Sequence, residues 1–329
     1  MTSTNNPLLS ICIPTYNRAN LLKKTLDCIV TQRVFIETDH VEVVISNNNS
    51  TDNTEEVALD FQSRFPNKIV YIRTKETTSA SVNFANALLH AQGELCKLHN
   101  DSVSIQPEFL ESVISLMQKS SDKKYPIFFL NGNWHSHDET TLCESISDFV
   151  SHVSFYMTWI GGFSILKEDI QKYVQHFIES NHQFPHTEIL LKLLEHGRSI
   201  LVYNAKFGEE YPEVTKPITT KILEEVYIGE YIPMLRKYVD DAMLRHSTYG
   251  REVTKTIIFY MAYYYRLTQK FQLTYINDFY FLKKYVPLYK YYLILILYPL
   301  YIFIHPYRKN VKLRKFFIYL SNMRRKRSS

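Results

Sequence analysis

Five short segments of this 329-residue sequence hold side chains suited to chemistry. Pro14-Thr15-Tyr16-Asn17-Arg18 follows an apolar run and offers a hydroxyl, a ring, an amide and a guanidinium within a few residues. Such a set suits a nucleoside, which asks for base stacking and amide-type hydrogen bonds, and it suits a plain structural turn equally well. Ser46-Asn47-Asn48-Asn49-Ser50-Thr51-Asp52 is a second polar cluster behind a second apolar run, where Asp52 with Glu55 three residues on reads as a helix N-cap. Leu98-His99-Asn100-Asp101-Ser102-Val103 contains one acid, Asp101. Trp159-Ile160-Gly161-Gly162 pairs glycines that admit close backbone approach with a ring able to stack on a sugar, although a tight turn over a buried Trp reads the same way. Phe184-Pro185-His186-Thr187-Glu188 opens a helix, whose macrodipole favours an ionised Glu188 and disfavours a protonated His186, so both are available as bases. His135, His137 and Asp138 have metal-binding types without helical spacing and read as a solvated loop.

The elements that must hold these segments follow from the apolar rhythm. Residues 8–14, 41–46, 69–73 and 95–99 read as strands, and 18–31, 52–65, 80–91 and 107–119 as helices. The alternation predicts right-handed βαβ units and a mainly parallel sheet flanked by helices. Polar clusters at the carboxyl ends of neighbouring parallel strands are where such a sheet opens a ligand crevice. Further on the pattern loosens, with strands expected at 127–130, 163–166 and 199–203 and a helix at 188–196 closed by Gly197. After about residue 220 only helix-period segments remain, at 222–238, 254–268 and 275–285. The division expected is an α/β domain over 1–220 and a helical extension over 221–329.

Charge and aromatic content point to a surface for that extension. Residues 305–329 hold Arg308, Lys309, Lys312, Arg314, Lys315, Arg324, Arg325, Lys326 and Arg327 with no acid, so the net charge of +5 belongs to the tail and the remainder is mildly acidic. Residues 291–304 form an uncharged run interrupted by Pro299, shorter than the roughly 20 apolar residues of a spanning helix. Tyr285, Tyr289, Tyr291, Tyr292, Tyr298, Tyr301 and Tyr307 surround it, which suits an interfacial or re-entrant helix at an anionic membrane. A core helix followed by a solvated basic tail is the alternative. No nucleic-acid motif accompanies the basic residues, so no nucleic-acid partner is expected. The four cysteines form no CxxC pair and the first residues read as no secretory leader, which predicts a reduced, cytoplasmic setting, peripheral on the inner membrane face. On that expectation the sequons at Asn48, Asn49 and Asn100 carry no glycan. P-loop, HExxH and G-x-G-x-x-G patterns are missing, which removes several enzyme classes.

In their order, the PTYNR strand end, the Asn-rich turn with Ser-Thr-Asp, and the later strand entering an Asp-containing turn resemble the family 2 glycosyltransferases with the GT-A fold. The resemblance covers about residues 8–205 and is strongest in the first segment. It implies an inverting transfer of a sugar from a nucleotide-diphosphate donor, of the kind that builds bacterial surface polysaccharides, with a divalent cation, Mn²⁺ or Mg²⁺. Carried over residue by residue, it puts Pro14, Thr15, Tyr16, Asn17, Arg18, Asn47, Asn83 and Asp101 at the donor, with Asp101 on the metal. Trp159, Gly161 and Gly162 fall in a loop toward the acceptor, and Glu188 first or His186 second is the base.

Two positions depart from the family. Asn47 stands where an acid touches the base or ribose, and Asp101 is alone in the metal motif. Mg²⁺ commonly sits on one or two carboxylates plus substrate phosphates, so one acid is compatible with an ion held jointly with the donor. The resulting expectation is a glycosyltransferase acting on a glycan or lipid-linked saccharide at the cytoplasmic membrane face. Its alternative is a catalytically inactive binding module of the same fold at a membrane surface. A sugar nucleotidylyltransferase fits poorly, since no glycine precedes Gly93.

Overall fold

The continuous apolar runs at the start of the chain become central parallel strands. In the computed structural model, which describes residues 6–119, 123–132, 138–180, 182–214 and 229–238 with Glu252 and Tyr292, β1 (Leu9–Thr15) and β2 (Val41–Asn47) lie side by side, Leu9 opposite Val41 through Thr15 opposite Asn47. Every residue of β2 is buried, as both faces of the sheet are covered by helices. Its one acid, Glu42, is satisfied by the Ser10 hydroxyl and by the amides of Gln92 and Gly93.

The chain runs outward from β1 through α1 (Ala19–Val30), α2 (Arg33–Glu37), β2, α3 (Thr54–Arg64) and β3 (Ile69–Arg73). It then returns by α4 (Ala80–His90) to β4 (Leu95–Leu98), which pairs with the other side of β1. After α5 (Phe109–Lys119) come β5 (Ile127–Phe129), β6 (Thr140–Cys143), α6 (Ile146–Val153), β7 (Ser164–Leu166), α7 (Lys167–Tyr173), α8 (Gln175–Glu179), α9 (Pro185–Glu195), β8 (Ile200–Tyr203) and α10 (Ile232–Tyr238). Two 3₁₀ turns, Ser154–Thr158 and Ile160–Gly162, connect α6 to β7. The main sheet has the order β3-β2-β1-β4-β7, parallel except for β7. Because the order reverses at β1, the crevice between the carboxyl ends of β1 and β4 is the topological switch point.

The expected mixed α/β architecture with a mainly parallel sheet and flanking helices is therefore present. Local chemistry explains the boundaries. Leu22, Thr25, Leu26 and Ile29 fall on one face of α1 and are all buried. The Ser79 hydroxyl accepts from Val82 N and starts α4, Pro185 occupies the first turn of α9, and Gly197 at φ +80° ends it. One feature went beyond the sequence expectation: β5, β8 and β6 form a separate three-stranded sheet, and β6 has the short, largely exposed sequence TTLC.

The chain divides into two units, Met1–Ile218 with Pro233–Glu252, and Thr219–Ile232 with Val253–Ser329. Of the second, residues 229–232 and Tyr292 are described. His135, His137, the helices expected at 254–268 and 275–285, the aromatic run and the basic tail lie outside the described residues. Among the described residues no helix is long and apolar enough to cross a membrane.

Candidate active site

Thr15 closes β1 and Asp101 follows β4, so the two meet across the switch point, where the Thr15 hydroxyl donates to Asp101 Oδ2 over 2.8 Å. The other carboxylate oxygen accepts from Arg18 Nη1, also at 2.8 Å. The loop carrying Asp101 is held from behind. Thr25 Oγ1 on α1 donates to the Asp101 carbonyl at 2.9 Å, and Ser104 N donates to Glu209 O at 2.9 Å. Gly208 is obligatory beneath that loop, because a Cβ there would lie 1.9 Å from Ser104 O.

A cavity of about 420 Å³ opens at this point, within the size range of small-molecule sites. Pro14, Thr15, Tyr16, Arg18, Asn83 and Asp101 all line it. Tyr16 is 45% exposed and presents a ring that could stack on a nucleobase. Asn83 is a bracket as well as a wall, because its amide bonds the Ser46 hydroxyl at 2.6 Å and the Ser46 carbonyl at 3.1 Å, fixing α4 to the end of β2.

Asn17 and Asn47 act around the cavity without lining it. Asn17 sits at φ +51°, an unusual backbone for a non-glycine residue. Its amide N–H donates to Ser50 Oγ at 2.9 Å and its Oδ1 accepts from Thr51 N at 2.8 Å. Asn47 is fully buried and turned inward, with Oδ1 accepting from Ser50 N and Nδ2 donating to the Tyr71 hydroxyl, both at 2.9 Å. An acid at position 47 would lose the Nδ2 donor to Tyr71 and put a buried negative charge beside a hydroxyl that the Glu55 carboxylate already acts on, which disfavours the acid here.

Sequence reasoning passed over Asn48, Thr77, Thr78 and Phe84, which also line the cavity. Asn48 Oδ1 accepts from Thr78 N at 2.8 Å and Asn48 Nδ2 donates to Thr78 O at 2.9 Å, so this side chain holds the loop between β3 and α4 over the site. Its position directly after the second strand was the available signal. Asp52, expected as the N-cap, stands one residue before it, since α3 starts after Asn53; one oxygen accepts from Thr54 N at 3.0 Å and the other from Ala19 N at 3.1 Å at the start of α1.

The proposed acceptor and base residues lie elsewhere. Trp159 stacks on Phe207 with ring centroids 5.2 Å apart and planes 10° apart, so one face of the indole is spent on packing. Gly161 and Gly162 are buried, with Cβ atoms excluded at 2.9 Å by Trp159 and 2.7 Å by Phe128. Of this turn Ile160 lines the cavity at the switch point. Beneath it Lys97 is fully buried, donating to Gly161 O at 2.6 Å with Nζ 4.4 Å from the Phe207 ring centre, and burial brings its pKa down to about 7.

Glu188 borders a second depression of about 490 Å³ with His176, Glu179, Ser180, His182, Pro233, Met234 and Lys237. Its carboxylate accepts from His182 Nε2 at 3.0 Å, Tyr238 Oη at 2.6 Å and Lys237 Nζ at 2.9 Å. The His182 bond, helped by the other two against partial burial, holds the carboxyl well below the usual range. His186 is buried, donates from Nε2 to Thr158 O at 2.9 Å and leaves Nδ1 without a partner; burial lowers its pKa to about 4. Among the described residues the two depressions share no lining residue, but Phe84 of the first packs edge-on against Phe177, the neighbour of His176 in the second.

The residues at the switch point fit a divalent ion shared with a substrate. Asp101 supplies hard carboxylate oxygens beside the Thr15 hydroxyl and Asn100, without a preformed cluster of three ligands. Among the described residues such a cluster is formed by Cys143, Asp148 and His152, none of which lines the cavity.

Residues 10–157 match the family model described as Glycosyl transferase family 2. The chain is 36% identical over 109 residues to validoxylamine A glucosyltransferase of Streptomyces hygroscopicus, covering 33% of this chain and 25% of that one. It is 25% identical over 173 residues to the GalNAc(5)-diNAcBac-PP-undecaprenol beta-1,3-glucosyltransferase of Campylobacter jejuni, covering 50% and 53%. These alignments span a quarter to about half of the relatives' lengths. In fold it is similar to the mannosyltransferase PcManGT of Pyrobaculum calidifontis, solved with GDP-Man and Mn²⁺, at a TM-score of 0.51 and 14% identity over 92% of this chain and 85% of that one. On sequence, residues 10–157 are similar to glycosyl transferase family 2, and the fold is GT-A-like.

Proposed function

We propose that this chain transfers a sugar from a nucleotide-diphosphate donor to a hydroxyl of a glycan or lipid-linked saccharide, with inversion. The observation that carries the reading is the cavity at the β1/β4 switch point, where a stacking ring, a guanidinium and a carboxylate converge. Tyr16 offers its face to the base, Arg18 its guanidinium to the diphosphate, and Asn48 with Asn83 keeps the surrounding loops in place. Asp101, oriented by Thr15, would hold a Mn²⁺ or Mg²⁺ ion together with the donor phosphates. When bound, that ion neutralises charge developing on the leaving diphosphate.

Inverting transfer needs a base on the attacking hydroxyl. Glu188 is the candidate because its three donors keep it ionised, and the depression it borders is proposed to receive the acceptor. His186 remains the second candidate, neutral and with an unpartnered Nδ1. Trp159, Gly161 and Gly162 act in this reading through the shape of the turn that carries Ile160. The Campylobacter relative is named for an undecaprenol-linked substrate, which supports a lipid-linked acceptor and work at the inner membrane face. The inactive-module reading gains no support from the comparisons.

The test is thermal unfolding with a panel of nucleotide sugars, with and without Mn²⁺, followed by transfer assays with the donor that protects. A donor at 100 times its Kd should stabilise by about 2.7 kcal/mol. No protection by any donor would sink the proposal.

A further inference from the structure

Resting on the donor-site reading above, we propose that Arg18 is the resident counter-charge of Asp101 in the donor-free protein, and that the donor's diphosphate draws the guanidinium away so that the divalent cation and the nucleotide enter together. Arg18 and Asp101 are the two charged side chains among the described residues lining the cavity. They are in contact at 2.8 Å. A free divalent cation therefore meets a guanidinium at the lone acid, and Asn100 beside it adds no charge. One of the partners is built to stay and the other to move. The Asp101 side chain is 5% exposed and shares its second oxygen with Thr15, while the Arg18 side chain is 34% exposed and faces the cavity.

The backbone at Arg18 is pinned by its own N–H to Thr54 Oγ1 at 3.1 Å, and the preceding Asn17 is held by Ser50 and Thr51. A swing of Arg18 thus needs only side-chain torsions. A diphosphate presents two negative charges and bidentate geometry, a stronger partner for a guanidinium than one carboxylate already sharing its other oxygen. Once Arg18 turns to it, the negative charge of Asp101 is no longer offset by the guanidinium and acts on the ion that the same phosphates attract. Loading by donor and cation becomes mutually dependent.

The experiment titrates Mn²⁺ alone into the donor-free full chain by calorimetry, using the wild type, Arg18→Gln, Arg18→Lys and Asp101→Asn. Removing a positive charge at this distance should tighten Mn²⁺ binding by Arg18→Gln at least about tenfold over the wild type. Arg18→Lys keeps the charge and should stay within about twofold of the wild type, and Asp101→Asn should lose the site. UDP and GDP titrated in the presence of Mn²⁺ should bind Arg18→Gln at least about tenfold more weakly than the wild type, whichever of the two the wild type takes. Opposite signs for metal and nucleotide are not produced by a merely loosened fold. Unchanged or undetectable Mn²⁺ binding by Arg18→Gln overturns the proposal, as does Arg18→Lys binding Mn²⁺ as tightly as Arg18→Gln. Failure of the glycosyltransferase reading looks different, with neither nucleotide binding the wild type whatever the Mn²⁺ titrations give.

Discussion

The Thr15 hydroxyl reaches Asp101 Oδ2 over 2.8 Å although 86 residues separate them. This bond joins the ends of β1 and β4 and orients the acid that faces the cavity. Thr15→Val should leave that carboxylate oxygen without its buried donor, costing about 1–3 kcal/mol of stability. Transfer should fall about tenfold with the acid misaimed, and Asp101→Ala should fall at least about a hundredfold. Steady-state rates beside urea unfolding check both, and a Thr15→Val enzyme that is destabilised yet fully active would contradict the orienting role.

Asn47→Asp restores the acid of the family pattern at a buried position. The substitution removes the Nδ2 donor to Tyr71 and places a charge at a fully buried position, and should destabilise the fold by about 1–3 kcal/mol. The ranking of nucleotides by affinity should not change, since residue 47 points at Tyr71 and Ser50. A changed base preference in thermal-shift ranking would show that the side chain reaches the ligand after all.

Glu188→Gln should lower kcat by about a hundredfold or more with a smaller effect on donor KM, as expected for loss of a general base. His186→Ala tests the second candidate on the same readout. The bond from His182 keeps Glu188 ionised through the neutral range, so its protonation should produce no acid limb in kcat above about pH 5. A limb near pH 4 would instead point to His186. Near-normal kcat in both variants would remove both residues as bases.

Acid should unfold the domain through its buried imidazoles. The pKa of His186 falls from 6.5 to about 4 by burial, and that of His99 to about 3 by burial and the nearby Lys97. Both folded values lie below the unfolded one, so their contribution is complete above pH 6.5 and drains as pH falls toward 4, at up to roughly 1.4 kcal/mol per pH unit for each. Lys97 gives a second window with the same sign. Its folded value near 7 lies below 10.5, so stability should rise with pH between those values and be lost on the way down. Tm against pH is the measurement. His186→Gln, which can still donate to Thr158, should flatten the acid slope, and Lys97→Met should flatten the rise between about pH 7 and 9.

Much of the switch-point crevice could be read from the chain, because the apolar runs ending at Thr15 and Asn47 leave little choice but central parallel strands with polar ends on one edge of the sheet. The partners that fix each side chain were hidden. Asn47 turns inward because Tyr71 arrives 24 residues later, and Trp159 is committed to Phe207, a contact that no local pattern announces. Short β6 has the length of a loop and becomes a strand only when β8 lies beside it. Glu188 belongs to its own depression because Lys237 and Tyr238, 49 and 50 residues on, close over it.

The two polar turns are stitched to each other at five points: Thr15 to Asn48, Asn17 to Ser50, Asn17 to Thr51, Arg18 to Thr54 and Ala19 to Asp52. For anyone moving this crevice between relatives, residues 14–19 and 47–54 are consequently one heritable part. Transplanting either turn alone imports half a lock, and a working chimera has to carry both.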